Sequence, residues 1–335
     1  MIAKPIVTLI TCGGTIASAV QAGKGALPTL DIGALAREIP GIDAVAELRT
    51  VEARRVPSPH MGFDDLLALA RACRDALAAG SQGVVISQGT DTIEEIAYGL
   101  DLVLNTDAPV VVTGAMRNAS MPGADGPANL LAAVRVAASP TARGLGSLVV
   151  FNDEIHAARF VRKSHTQSTA TFVSPATGRL GWLAEDAVRI LVRPVAGQRL
   201  SVPEVAEIPA VALLRLGLGD DGRLLEHLGE AGYAGVVIEG FGGGHVTRAI
   251  AAPGRLERLI ERMPVVLASR TGSGEVLRGT YGFEGSERDL LARGVIPAGA
   301  LDGLKARLLL ALLLAGGADR GTVKRTFESV APLCA

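Results

Sequence analysis

Two rhythms of apolar and polar positions run through this chain. Residues 6–10, 83–86, 109–113 and 148–151 are short stretches that are apolar almost throughout, the pattern of strands buried on both faces of a parallel sheet. Between them, apolar residues recur at helical spacing. Residues 33–39 predict a short helix, and residues 62–80 a longer one carrying Leu66, Leu67, Ala70 and Leu77. Ile93, Ile96, Ala97 and Leu100 mark a third, and a fourth opens at Pro127 and runs to about Ala138. A further strand is expected within residues 45–56. The resulting order, β-α-β-α-β-α-β, predicts an α/β domain with a mostly parallel sheet.

From Val211 the rhythm restarts, with strands at 211–216, 235–238 and 265–268 and helices near 224–229, 253–262, 302–315 and 321–330. Residues 183–208 carry Pro194, Gly197 and Pro203 with little helical period. The expected organisation is therefore an N-terminal α/β domain at 1–190, a linker at 191–209 and a C-terminal α/β domain at 210–335. A chain of 335 residues is long for one core, which agrees with two domains.

Composition narrows the function classes. Hydrophobic residues at 48% and charged residues at 20% describe a globular chain. A formal net charge of -1 gives no electrostatic basis for binding nucleic acid or an anionic membrane, and 3% aromatics are too few for base-stacking platforms. The longest apolar run, 308–317, is about half a membrane span and reads as a buried helix. The N-terminus lacks the pattern of a secretory signal, and Cys12, Cys73 and Cys334 form neither a disulfide framework nor a ligand spacing. A cytoplasmic protein is expected. His60, His156, His165, His227 and His245 show no metal-binding spacing, so no metal is expected.

Candidate chemistry gathers at two strand ends. Ser87-Gln88-Gly89-Thr90-Asp91-Thr92 follows the strand at 83–86 and delivers a hydroxyl and a carboxylate where open α/β sheets bind ligands. Thr92 and Glu95 also fit a helix capping box, and Asp91 fits the positive end of a helix. The strand at 6–10 ends in Cys12-Gly13-Gly14-Thr15, where paired glycines let the backbone approach a ligand and present N–H donors. Thr15 is the side chain there with nucleophilic chemistry. Residues 19–28, rich in Gly, Ala and Gln, read as a mobile loop where a lid would sit. Ser58 stands at the apex of Pro57-Ser58-Pro59. Lys163, in a polar segment, is either a solvated lysine or a base held beside an acid. Hydroxyl nucleophiles need a base, and acyl transfer needs donors for an oxyanion.

A dinucleotide fingerprint is also in outline, with Gly217, Gly219 and Gly222 after a strand and Glu239 ending the next. Asp220 and Asp221 would then face the pyrophosphate, an unfavourable placement.

Gly13-Gly14-Thr15-Ile16-Ala17 and Gly89-Thr90-Asp91-Thr92 resemble the two signature segments of the bacterial-type L-asparaginase family. Gly114-Ala115-Met116-Arg117, Ala124-Asp125-Gly126-Pro127, Lys163-Ser164-His165-Thr166 and Ser269-Arg270-Thr271-Gly272 resemble its intervening and C-terminal segments. The resemblance implies two three-layer α/β domains, the N-terminal one larger, and hydrolysis of the side-chain amide of L-asparagine without a cofactor. It also implies a homotetramer of intimate dimers, with each site between the N-terminal domain of one subunit and the C-terminal domain of its partner.

Carried onto this sequence, it makes Thr15 the nucleophile, with Thr90, Asp91 and Lys163 as the polar relay. Gly14, Ser58, Gly89, Thr90, Asp91, Ala115, Met116 and the partner-subunit acid Glu275 would hold substrate. Three positions depart from the family. Residues 19–29 contain no tyrosine, Pro59 replaces a glutamine, and an asparagine is replaced around Gly242-Gly243-Gly244-His245. An altered amino-acid end of the site bears on substrate choice. Glutamine, a D-amino acid amide or another small amide is the alternative substrate, and an ammonia-producing amidotransferase subunit would carry an additional N-terminal domain. Outside the class stand an NAD-binding oxidoreductase and a non-catalytic amino-acid-binding protein.

Overall fold

The apolar run near the N-terminus becomes the strand Ile6–Thr11 (β1), which pairs in parallel with Glu47–Glu52 (β2) on one side and Gly83–Ser87 (β3) on the other. Val110–Thr113 (β4) and Ser147–Phe151 (β5) extend the sheet in parallel beyond β3. Glu154–Ala157 (β6), Gly181–Ala184 (β7) and Ala187–Ile190 (β8) complete it as antiparallel additions, giving the eight-strand order β8-β7-β6-β5-β4-β3-β1-β2. A computed structural model describes residues 3–330 except Ala22, Lys24, Thr29, Leu30, Ala196, Gln198 and residues 204–206.

The helices Ile32–Glu38 (α1), Phe63–Ala78 (α2), Ile93–Val103 (α3) and Gly126–Ala138 (α4) follow the expected periodicity, with Pro127 in the first turn of α4. Leu130, Ala133, Val134 and Ala137 of α4 share one buried cluster with Val7, Leu9, Val85, Val111 and Leu148 of the sheet. Alternate strand residues Ile10, Ile86, Val112 and Val149 point to the opposite face and are equally buried. Both faces are therefore covered, which is why these strands read as unbroken apolar runs.

The parallel core, β2-β1-β3-β4-β5, reverses its winding direction between β1 and β3. That reversal is the topological switch point of a doubly wound sheet, the place where such sheets bind ligands, beyond the carboxyl ends of the strands. The two motifs singled out in the sequence follow these two strands.

Three expectations need correction. Residues 19–28, read as a mobile loop, contain the strands Ser18–Gln21 and Gly25–Pro28, paired antiparallel with Ser18 opposite Pro28. Gly23, at φ 76, supplies the left-handed turn residue a tight hairpin needs; Ala22 and Lys24 of that segment lie outside the described residues. Thr92 makes no side-chain cap on α3; its hydroxyl oxygen accepts from Gln88 Nε2 and its proton goes to Ser58 O, each at 3.3 Å. The start of the period-poor stretch, 183–190, belongs to β7 and β8.

The chain divides into two compact units, Met1–Arg199 and Leu200–Ala335. The second holds a parallel sheet of Val211–Arg215 (β9), Gly235–Gly240 (β10), Val265–Ser269 (β11) and Ile296–Pro297 (β12), in sequential order. Arg255–Arg262 (α5), Glu287–Ala292 (α6), Gly303–Ala315 (α7) and Arg320–Val330 (α8) are its main helices, and α7 is capped by the Asp302 carboxylate. The greasy run 308–317 falls mostly in α7, where Leu308 to Leu313 are buried. Among the described residues no helix is long and apolar enough to cross a membrane.

Candidate active site

The ends of β1 and β3 remain paired as they leave the sheet. Thr11 lies opposite Ser87, and the N–H of Cys12 donates to Ser87 O at 2.9 Å. Gly13 and Gly14 then turn with φ near 86, a conformation that favours glycine. A Cβ on Gly14 would meet the Gly89 nitrogen at 2.2 Å, so the two backbones touch. Thr15 follows at once, half-buried at the start of the turn Thr15–Ala17, with the Ser18 hydroxyl donating to Gly14 O at 2.9 Å. Thr90, 6% exposed, opens the turn Thr90–Thr92 that leads into α3.

Lys163 is not a solvated lysine. Its Nζ donates to Thr90 Oγ1 at 2.9 Å and to Asp91 Oδ1 at 2.6 Å. The other Asp91 oxygen accepts from the Ser58 hydroxyl at 3.4 Å, while the Asp91 N–H donates back to Ser58 Oγ at 3.2 Å. Ser58 is thereby fixed over Gly89, where an added Cβ would meet its hydroxyl at 2.7 Å. Gln88 Nε2 donates to Thr92 Oγ1 at 3.3 Å, tying the same strand end to the Ser58 carbonyl through that hydroxyl. Ser58, Gly89, Thr90, Asp91 and Lys163 thus form one polar cluster. Such a cluster can hold a zwitterion's charges and move a proton between hydroxyl and amine.

Gly114, just after β4, packs against the cluster, where an added Cβ would meet Gln88 O at 2.4 Å and Thr90 Cγ2 at 3.5 Å, and Ala115 and Met116 come next in the chain. Ala115 is fully buried, and the Met116 N–H is bound by both oxygens of Asp125, at 3.1 and 3.0 Å. Asn129 ties these parts together. Its Nδ2 donates to Gly114 O at 3.0 Å and to Asp125 Oδ2 at 3.1 Å, and its Oδ1 accepts from the Asn152 N–H at 2.9 Å. Sequence reading did not single out Asn129; a buried asparagine one turn into an apolar helix was the available signal. Glu94, which stands just behind the Ser87–Thr92 stretch and has no role in the sequence reading, accepts the Lys163 backbone N–H at 3.4 Å.

Glu275 lies in the second unit and is exposed. The glycine pattern at 217–222 is not a pyrophosphate cradle. Asp220 Oδ1 takes the N–H of Gly222 and Asp221 Oδ1 that of Arg223, so the donors a pyrophosphate needs are already used. The helix that follows is only Arg223–His227, and Glu239 accepts from the N–H of Gly303 at 3.2 Å. Cys12 lies beneath the site, but burial, reinforced by Asp65 and opposed by Arg54, pushes its thiol up to about 12 and leaves it unreactive. Among the described residues no group of three His, Cys, Asp or Glu side chains is arranged to hold a metal ion.

Comparison with known proteins gives the same picture across the whole chain. Residues 6–196 match the family Asparaginase, N-terminal, and residues 210–327 match the Glutaminase/Asparaginase C-terminal domain. L-asparaginase 2 of Bacillus subtilis is 34% identical over 97% of this chain and 86% of its own. L-asparaginase of Bacillus licheniformis is 36% identical over 92% and 95%. The crystal structure of a probable cytoplasmic L-asparaginase from Campylobacter jejuni superposes with a TM-score of 0.87 at 31% identity, covering 97% of this chain and 99% of that one. With both domain families matched in order and curated relatives aligned nearly end to end, the chain belongs to the asparaginase family.

Proposed function

We propose that this protein hydrolyses the side-chain amide of L-asparagine to L-aspartate and ammonia through a threonine acyl-enzyme. The observation that carries this reading is the Lys163 Nζ, 2.9 Å from Thr90 Oγ1 and 2.6 Å from Asp91 Oδ1, on a strand end whose Gly89 touches Gly14, next to Thr15. Relatives named L-asparaginase supply the substrate class.

Thr15 is assigned the first attack because it is half-buried directly after the glycine pair, whereas Thr90 is 6% exposed and already bound by Lys163. Thr15 Oγ bonds to the amide carbon as its proton passes to a neighbouring base. N–H groups at the glycine turns meet the negative charge on the carbonyl oxygen. The carbon–nitrogen bond then breaks as the leaving nitrogen takes a proton and departs as ammonia, leaving an ester on Thr15. Water attacks that ester, its proton passing through the Thr90 hydroxyl to the Lys163 amine, and the Asp91 carboxylate stabilises the ammonium so formed. The bond between the acyl carbon and Thr15 Oγ then breaks, Thr15 Oγ takes the proton back from Lys163 through Thr90, and L-aspartate is released. Asp91 and Ser58 hold the amino-acid end of the substrate, with Gly14, Gly89, Ala115 and Met116 contributing backbone around it.

A homotetramer of intimate dimers is proposed with it, Glu275 being the acid supplied by the partner subunit. We assign the protein to the cytoplasm, where the free thiols of Cys12 and Cys73 stay reduced. A second reading, a relaxed enzyme that also accepts glutamine, is favoured by Pro59 next to Ser58 in place of the family's glutamine. A Glutaminase-asparaginase of Acinetobacter glutaminasificans is 32% identical over 97% of this chain.

Ammonia release from L-asparagine, L-glutamine, their D-forms and simple amides tests both. Preference for L-asparagine supports the first reading, and comparable glutamine turnover supports the second. Silence on every amide, with ligand binding intact, leaves a binding protein.

A further inference from the structure

We propose that His156 is a positioning residue for Lys163, acting through Ser174. This inference rests on the role given to Lys163 above. Lys163 lies on a two-residue strand, Arg162–Lys163, paired antiparallel with Phe172–Val173 so that Lys163 faces Phe172. A ribbon this short has no independent stability, and its position has to be imposed by its surroundings. Phe172 packs on Phe151 at 4.8 Å between ring centres, a contact that holds the ribbon down without fixing its direction. The Glu94 bond to the Lys163 N–H, at 3.4 Å, is long. A short side-chain tether follows the ribbon, where Ser174 Oγ lies 3.0 Å from His156 Nδ1, as the Val161 N–H, donating to Ala157 O at 3.1 Å, holds the chain that enters it.

His156 is itself held in the sheet. It is 1% exposed on β6, and its Nε2 lies 3.3 Å from Glu154 Oε2, close to the carboxylate but not aligned as a hydrogen bond, while the other Glu154 oxygen pairs with Arg179. The negative charge beside Nε2 favours the ring proton there, which leaves Nδ1 to accept from the Ser174 hydroxyl. Burial, helped by Arg179 and opposed by Glu154, lowers the pKa of His156 and keeps the ring neutral. The set Ser174, His156 and Glu154 has the composition of a hydrolytic triad, but His156 Nε2 makes no hydrogen bond to Glu154, the link by which a triad's acid orients its base. What the set does is join a rigid sheet strand to the ribbon that carries Lys163 Nζ to Thr90 and Asp91.

The test is steady-state ammonia release from L-asparagine by the full-length protein carrying Ser174→Ala, His156→Gln or His156→Asn, each alone and combined with Lys163→Met. Asparagine places an amide oxygen near the position of Nδ1, and glutamine near that of Nε2. Ser174→Ala and His156→Gln should lower kcat by about 10-fold or more with KM little changed, since a misplacement of about 1 Å is enough for such a loss. His156→Asn should recover most of it. None should lower the residual rate of Lys163→Met further. Ser174→Ala strands one buried ring nitrogen and should lower the melting temperature by no more than one such unsatisfied group costs; a variant still fully folded at the assay temperature separates positioning from unfolding. Wild-type kcat in Ser174→Ala beside an impaired Lys163→Met overturns this inference alone. Additive losses in the Lys163→Met background, or no advantage of asparagine over glutamine, overturn it too. Wild-type turnover in Lys163→Met itself overturns the role of Lys163 and this inference with it.

Discussion

Gly14 and Gly89 meet backbone to backbone: a Cβ on Gly14 would lie 2.2 Å from the Gly89 nitrogen. This contact is what brings the Thr15 turn and the Thr90 turn together, and no other residue type permits it. Gly14→Ala adds left-handed strain of about 1–3 kcal/mol at φ 86 and, beyond that, forces the two strand ends apart. The expected outcome is a lowered melting temperature and loss of turnover. Gly23→Ala is the control, since Gly23 also has positive φ but an added Cβ there meets nothing within 4 Å. It should show the strain without loss of turnover.

The polar cluster should separate chemistry from folding. Thr15→Ala should abolish ammonia release while leaving thermal unfolding close to wild type, because a half-buried turn threonine contributes little to the core. Thr90→Val and Lys163→Met should each slow turnover by about 10²–10⁴-fold, the usual range for groups that transfer protons. Measured kcat at saturating amide, beside a melting curve for each variant, decides this. Wild-type rates would remove the residue from the mechanism.

Asn129 makes the opposite prediction. It serves three backbone or side-chain partners at 2.9–3.1 Å and is 2% exposed. Asn129→Leu strands the buried Gly114 O, and a buried unsatisfied group costs about 1–3 kcal/mol. A fall in melting temperature should therefore accompany any loss of turnover. An unchanged melting temperature would show that neighbouring groups take over those bonds.

The legible parts of this protein were those where one local rule governs. Buried parallel strands such as residues 83–86 and 109–113 announce themselves as apolar runs, and Gly13-Gly14 and Gly89-Thr90-Asp91 stand directly after such strands. The antiparallel strands β6, β7 and β8 were not foreseen, because half-exposed edge strands such as β8 carry mixed residues with no clean run. The hairpin at 18–28 was hidden for a similar reason, its pairing being set by a turn at Gly23 rather than by an apolar face. Lys163 could be named from sequence but not oriented. Its orientation depends on the 162–163 ribbon and on partners about seventy residues away, at Thr90 and Asp91. Thr92 misled in the other direction, as a sound capping pattern whose hydroxyl is taken by Ser58 O.

Acid should weaken the second unit through Glu287. This carboxylate is fully buried, and Oε1 accepts the N–H groups of Thr280 and Tyr281, each at 2.7 Å, while Oε2 lies 3.5 Å from His245 Nδ1. Burial alone would raise its pKa, but the N–H bonds from Tyr281, its own backbone and Thr280, with His245 beside them, outweigh it and hold the carboxyl below its ordinary value. A carboxyl depressed in the folded state stabilises the fold above its unfolded pKa, about 4.3, and that contribution is lost as pH falls through the lower folded value. Glu287→Gln keeps an acceptor for the two N–H groups but loses the charge that strengthens them. The variant should melt below the wild type near pH 7, and the gap should close as pH falls below about 4. Parallel melting curves at all pH values would mean that the charge of Glu287 contributes nothing, and that its two N–H bonds alone hold the 280–281 turn against α6.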